Sequence, residues 1–383
     1  MPTISTIQSF AVAYPFLGRF KFFQSPPGRP NGRRTVVVRL TTDDGAVGWG
    51  QAVPSPRWSY ETPESVRSTL DFYLGPALIG IDIDDAAEIR RRLNSEIAAG
   101  FSVGQPIAKA AIDLALWDLW GRRDGKSVAQ LAGSSAAPEA ITLSWTLNPQ
   151  RLEEIEVAVA EAHARGYRHF NLKVAPDPEF DLSAVRLLRQ FAPAAILWVD
   201  ANGGYDLESA LSVAPKFAGL GVSALEQPLA ANQLAGYRRL RTQGALPILM
   251  DESIVSAADF DEFHRLGLLD GVAVKVSRMG GITESLRLIK RLQETDSLFY
   301  ASGLTDPDLS LAASLQVFAA GGLQLPAALN GPQFLRGSIL RDPPRTAGDQ
   351  ILAPDRPGLG VDVDPERLAG LMEAPDRASL RAD

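Results

Sequence analysis

The chain has 383 residues, 45% of them hydrophobic and 22% charged, with 45 acidic side chains against 38 basic ones. That is globular composition of about two domains' length, and a net charge of −7 with no basic block speaks against nucleic acid or an anionic membrane as partner. Cysteine is absent and histidine occurs only as His163, His169 and His264, which excludes disulfides, zinc–thiolate and iron–sulfur sites and a cysteine nucleophile.

The N-terminus lacks the basic and apolar pattern of a signal peptide, and no run of about 18 apolar residues appears. A soluble cytoplasmic protein is expected. The stretch 20–34, with its prolines and glycines, reads as a long loop. Thr35–Leu40, the turn Asp43-Asp44-Gly45 and Ala46–Gly50 read as a β-hairpin. Between Pro106 and Trp120 the apolar residues Ile107, Ala110, Ala111, Leu114 and Trp117 mark one helix face, which stops near Gly121.

From Ile141 onward, short apolar runs alternate with amphipathic stretches. The strands expected are Ile141–Leu147, His169–Val174, Ile196–Asp200, Val222–Glu226, Pro247–Met250, Gly271–Val276, Ser297–Ala301 and, weakest, Gly322–Pro326. The intervening helices include one through Leu152, Ile155, Val159 and Ala162. Another is capped by Asp181 ahead of Leu182, Val185 and Leu188, and a third runs through Ile282, Leu286 and Ile289. Eight strands about 25 residues apart favour a closed parallel β/α barrel, and the lack of an early G-x-G-x-x-G weighs against a dinucleotide fold.

The active site of such a barrel lies at the C-terminal ends of its strands. Five successive strands end there in a charged residue: Lys173, Asp200, Glu226, Asp251 and Lys275, spaced 24 to 27 residues apart. Three converging carboxylates repel one another unless a cation joins them, and oxygen-only ligation suits Mg²⁺ or Mn²⁺. The alternative for each acid is a helix cap or a surface ion pair. Lys173 and Lys275 flank the acids. Near a cation and partly desolvated, each is suited to be a general base, one on either face of a substrate carbon; serving as counter-ions is the other reading.

These motifs resemble the enolase superfamily in its muconate-lactonizing-enzyme subgroup. Ala108–Leu119 resembles the last cap helix. Val199–Gly203, Leu225–Pro228 and Met250–Ser253 resemble the three metal-ligand motifs, and Val274–Ile282 the sixth-strand lysine motif. The resemblance implies a (β/α)7β TIM-like barrel under an α+β capping domain. Residues 1–130 would form the cap, 131–340 the barrel, and 341–383 a C-terminal segment returning to the cap. It assigns Asp200, Glu226 and Asp251 to Mg²⁺ (or Mn²⁺), and Lys173 and Lys275 to acid–base work. Glu252 is expected beside Lys275, Asn202 beside the metal cluster, and Asp306 in the place of the acid after the seventh strand. The seventh-strand region Leu298–Ser302 has no histidine, which favours the lysine-pair subgroup. One departure is Asn171, where the subgroup carries a first lysine.

Substrate contacts are sought in Phe22, in Trp58 and Tyr60, and in Trp145 at the end of the first barrel strand; packing the cap onto the barrel is the other reading of these rings. Lys21 or Arg57 is placed to pair with a distal carboxylate. The expected activity is Mg²⁺-dependent removal of the α-proton of a small-molecule carboxylate, giving cycloisomerisation or racemisation/epimerisation in a homo-oligomer. Syn-dehydration of a hydroxy acid and a non-catalytic binding barrel are the rivals.

Overall fold

The computed structural model describes residues 1–18, 20–21, 32–134 and 140–373. Three antiparallel strands open the chain: β1 (Ile4–Pro15), β2 (Gly32–Thr42) and β3 (Val47–Ala52), with Gly45 at φ +85° completing the β2–β3 turn. Residues Gly32–Arg34, expected in a loop, are the start of β2. They pair with Ala13–Pro15, so the cap sheet begins earlier than the loop-like composition suggested.

The helix Pro106–Asp124 lies across this sheet and runs past Gly121 to Gly125, whose left-handed φ of +65° ends it. Gly121 has a different duty. A Cβ there would stand 2.6 Å from the backbone of Gly358, so the glycine lets the C-terminal segment approach the helix.

The expected run Ile141–Leu147 is two pieces, β4 (Ala140–Thr142) and β5 (Trp145–Leu147). Six further strands follow: β6 (Phe170–Lys173), β7 (Leu197–Asp200), β8 (Leu225–Glu226), β9 (Ile248–Met250), β10 (Gly271–Val274) and β11 (Leu298–Ala301). Strands β5 to β11 form one parallel sheet in sequence order. The eighth stave is not Gly322–Pro326 but the pair Ala327–Ala328. Ala327 bridges Leu143 and Ala328 bridges Ser302, which closes the sheet on itself. Helices of 9 to 14 residues link the staves, as a parallel arrangement requires.

The helix after β6 is Pro178–Phe191, capped by Asp177. Asp181 lies inside its first turn and accepts instead from the Ala175 amide and the Tyr205 hydroxyl. Beyond the barrel, β12 (Thr346–Ala347) and β13 (Gln350–Leu352) add to β4. The chain then passes the helix Pro106–Asp124, and Met372 bridges to Val12 of β1. Among the described residues, no helix is long and apolar enough to cross a membrane.

A strand's side chains alternate between its faces. Phe170, Leu172, Leu197, Val199, Leu225, Val272 and Val274 of the staves turn outward to the helices, while Trp198, Ala224, Leu249, Ala273 and Tyr300 turn inward and pack on Ala328. Two residues beyond four of these inward positions stand Asp200, Glu226, Asp251 and Lys275. The charged rim rests on an apolar plug.

Candidate active site

Asp200, Glu226 and Asp251 bring one carboxylate oxygen each to within 4.8 Å of one another, all three buried. At an effective dielectric of about 20, each such pair of charges repels by roughly 3.5 kcal/mol. The surrounding cations answer this. Lys173 Nζ lies 2.5 Å from Asp200 Oδ2, and Lys275 Nζ lies 2.7 Å from Asp251 Oδ1. The Arg278 guanidinium also pairs with Asp251. Register sets part of this arrangement: Lys173 is opposite Asp200, and Asp200 opposite Glu226, on neighbouring staves.

The compensation is incomplete. Asp251 Oδ2 has no hydrogen-bond partner among the described residues. Glu226 Oε1 lies 3.6 Å from Lys275 Nζ, too far for a hydrogen bond, although Glu226 Oε2 accepts from the Trp198 indole at 2.9 Å. Buried carboxylate oxygens left this way fit a hard divalent cation, and the oxygen-only donor set fits Mg²⁺ or Mn²⁺.

Burial pushes the Glu226 carboxyl up to about 8, and the Asp200 charge adds to this against the pull of Lys275. For Asp251 burial works upward too, but Arg278 and Lys275 outweigh it and hold the group below its ordinary range. Burial lowers Lys173, yet the charges of Asp200 and Glu226 prevail and hold it above the ordinary lysine value. A cation shared by those carboxylates removes the influence that raises it.

Asn202 donates its backbone N–H to Asp200 Oδ1 at 2.8 Å and its amide to Asp200 Oδ2 at 3.1 Å and Glu252 Oε1 at 3.2 Å. Glu252 is pushed up to about 7, chiefly by burial and then by Asp251. It accepts from the Trp58 indole at 2.7 Å, and Lys275, its expected neighbour, adds a lesser pull downward. The Trp58 ring, brought in by the cap, lies 5.1 Å from Lys275 Nζ, 5.5 Å from Lys173 Nζ and 5.3 Å from the Arg278 guanidinium carbon. Phe20 packs at a tilt against Trp58 and Phe334, so it joins cap to barrel.

Two anticipated contacts fall elsewhere. Tyr60 is exposed and donates to the Val103 carbonyl. Trp145 turns outward, against Tyr167 and the Arg165 guanidinium; Thr146 is the inward residue of β5. Phe22 lies outside the described residues. Asp306 is buried after β11 and accepts from the Leu304 amide and the Ser310 hydroxyl, so it does not join the carboxylate cluster. The buried Asn171 lies in β6 opposite Thr146.

Lys21 reaches from the cap to the carbonyls of Val174 and Ala201, at 3.3 and 3.4 Å. None of the histidines reaches the rim. His163 packs on Phe170, His169 accepts from the Ile196 amide, and His264 lies beside Phe260. The roles of Arg278 and Trp198 were not anticipated. A signal existed for Trp198, two residues before Asp200 on the same face, and for Arg278, in the loop after the sixth-strand lysine.

Residues 154–367 match the family described as enolase C-terminal domain-like, and residues 28–133 match the mandelate racemase/muconate lactonizing enzyme N-terminal domain. The chain is 30% identical to a chloromuconate cycloisomerase of Pseudomonas putida over 84% of its own length and 86% of the relative's. It is 28% identical to an o-succinylbenzoate synthase of Geobacillus stearothermophilus over 91% and 90% of the two chains. Among solved structures, the muconate lactonizing enzyme of Klebsiella pneumoniae superposes with a TM-score of 0.87 at 28% identity, covering 97% of this chain and all of that one.

Proposed function

Since this chain belongs to the mandelate racemase/muconate lactonizing enzyme family of the enolase superfamily, we propose that it removes the α-proton of a small carboxylate through Lys173 or Lys275. Returning a proton to the opposite face of the same carbon gives racemisation or epimerisation. Adding an internal carboxylate oxygen across a conjugated double bond, with a proton delivered to the α-carbon, gives cycloisomerisation. Relatives named as cycloisomerases support the second outcome, and one named as an L-Ala-D/L-Glu epimerase supports the first.

One observation carries the reading: two buried lysines stand on either side of a buried carboxylate triad, each against a different member of it. Asp200, Glu226 and Asp251 would hold Mg²⁺ or Mn²⁺, with Asn202 orienting Asp200. A cation bound there supplies Lewis-acid stabilisation of the charge that develops as the α-proton leaves. Lys173, once its neighbours are neutralised, is governed by burial, which favours the neutral amine a base requires. Trp58 and Phe20 exclude water from the lysines, and Arg278 fixes Asp251.

The test is proton exchange. In D₂O with Mg²⁺, Lys173→Ala and Lys275→Ala are each expected to slow α-proton exchange of a turned-over acid by about 10²- to 10⁴-fold, read by NMR. Exchange at the parent rate in either variant would refute the lysine roles, and full activity after exhaustive chelation would refute the metal.

A further inference from the structure

Opposite the acids, the rim changes character. Thr146 and Asn171 are register partners on β5 and β6, and Asn330, following the eighth stave, donates its amide to the Thr146 hydroxyl at 3.3 Å. All three are buried, at 3%, 1% and 4% exposure. Gln333 clamps Thr146 by its backbone N–H and carbonyl, which fixes the side chain on the inner face of the stave. Within this arc two polar atoms have no partner among the described residues: Asn171 Nδ2, a donor, and Asn330 Oδ1, an acceptor. Buried groups of this kind are ordinarily satisfied, so an unpaired donor and an unpaired acceptor beside a reaction centre point to a ligand.

Asn171 stands two residues before Lys173 on the same face of β6, about 6–7 Å along the strand. We propose that Asn171, Thr146 and Asn330 form a subsite for a neutral hydrogen-bonding group of the substrate, a carboxamide or an equivalent donor–acceptor pair, lying beyond the carbon that Lys173 serves. This rests on the enolate reading above and adds the class of substrate to it: with a single carboxylate, such a substrate follows the racemisation or epimerisation branch. An amide carbonyl meets the Asn171 donor, and an amide N–H meets the Asn330 acceptor. Among the described residues, a second carboxylate would find no cation within the arc and would face the Asn330 oxygen. Lys21 is occupied with backbone carbonyls at the ends of β6 and β7.

Three 2-hydroxy acids of equal length, ending in a carboxamide, a carboxylate or a methyl group, test this with the Mg²⁺-loaded protein and α-proton exchange in D₂O. The amide acid is expected to exchange with a kcat/KM about tenfold above its near-isosteric dicarboxylate. Asn171→Leu should raise KM for the amide acid by about tenfold, leaving its kcat, the methyl acid and the Mg²⁺ affinity within about twofold; Thr146→Val should act in the same direction. A preference for the dicarboxylate would overturn the inference, as would an equal loss on all three acids or no change in either variant. The lysine variants separate the two readings. If they abolish exchange while Asn171→Leu discriminates nothing, the enolate reading stands and the subsite falls. If the parent exchanges none of the acids, both fall.

Discussion

The two halves of the barrel rim are built from the same strands and solve opposite problems. On β7, β8 and β9 and the turn after β10, acids and cations crowd together, and their mutual compensation leaves Glu226 Oε1 and Asp251 Oδ2 without hydrogen bonds. On β5, on the inner part of β6 and after the eighth stave, the inward side chains are neutral, and what is left over is an amide donor and an amide acceptor. Charge in a buried place is tolerated only when paired, so the first half is committed to ions. The second half can select among substrates without disturbing the first.

That contrast can be broken most severely at Glu226. Glu226→Gln removes a proposed ligand and is expected to weaken Mg²⁺ binding by more than about 100-fold by calorimetry, whereas Asn171→Leu leaves it unchanged; equal losses would erase the distinction. Protons provide the next test. Because the metal-free Glu226 carboxyl holds its proton up to about pH 8, Mg²⁺ must displace it. Affinity should therefore rise about tenfold per pH unit below 8 and level off above it, with proton release detected in buffers of different ionisation enthalpy. A flat profile from pH 6 to 8 would contradict the raised carboxyl. A smaller effect is expected from Asn202→Ala, which strips donors from Asp200 and Glu252 and should cost roughly 10-fold in Mg²⁺ affinity. The smallest belongs to Trp58→Phe, which keeps a ring over the lysines but deletes the hydrogen bond to Glu252. Thermal unfolding should report a loss of about 1 kcal/mol, with Mg²⁺ affinity nearly unchanged.

Much of the charged half was legible in the chain alone, and the neutral half was not. A carboxylate or lysine ending a buried apolar run is conspicuous, and Asp200, Glu226 and Asp251 each announce themselves. Asn171 stands out only as a departure from the subgroup's lysine and Thr146 not at all, and only their pairing across β5 and β6 shows that they stand together. The expected strand at Gly322–Pro326 failed because the true stave, Ala327–Ala328, has no β-branched residue and is held by its neighbours' hydrogen bonds. Trp145 was misplaced because a break at Leu143-Ser144 separates β4 from β5, and an apolar ring ending a strand serves equally on either face.

The sequence by itself determined the spacing of one β/α unit between charged strand ends and the two-residue alternation that sets each of them inward, because both are periodicities of the local backbone. The tertiary structure alone decided which oxygens remain without a partner, that Trp58 from the cap covers the lysines, and that Arg278 takes Asp251. Those contacts join residues from different parts of the chain, and no local periodicity specifies them.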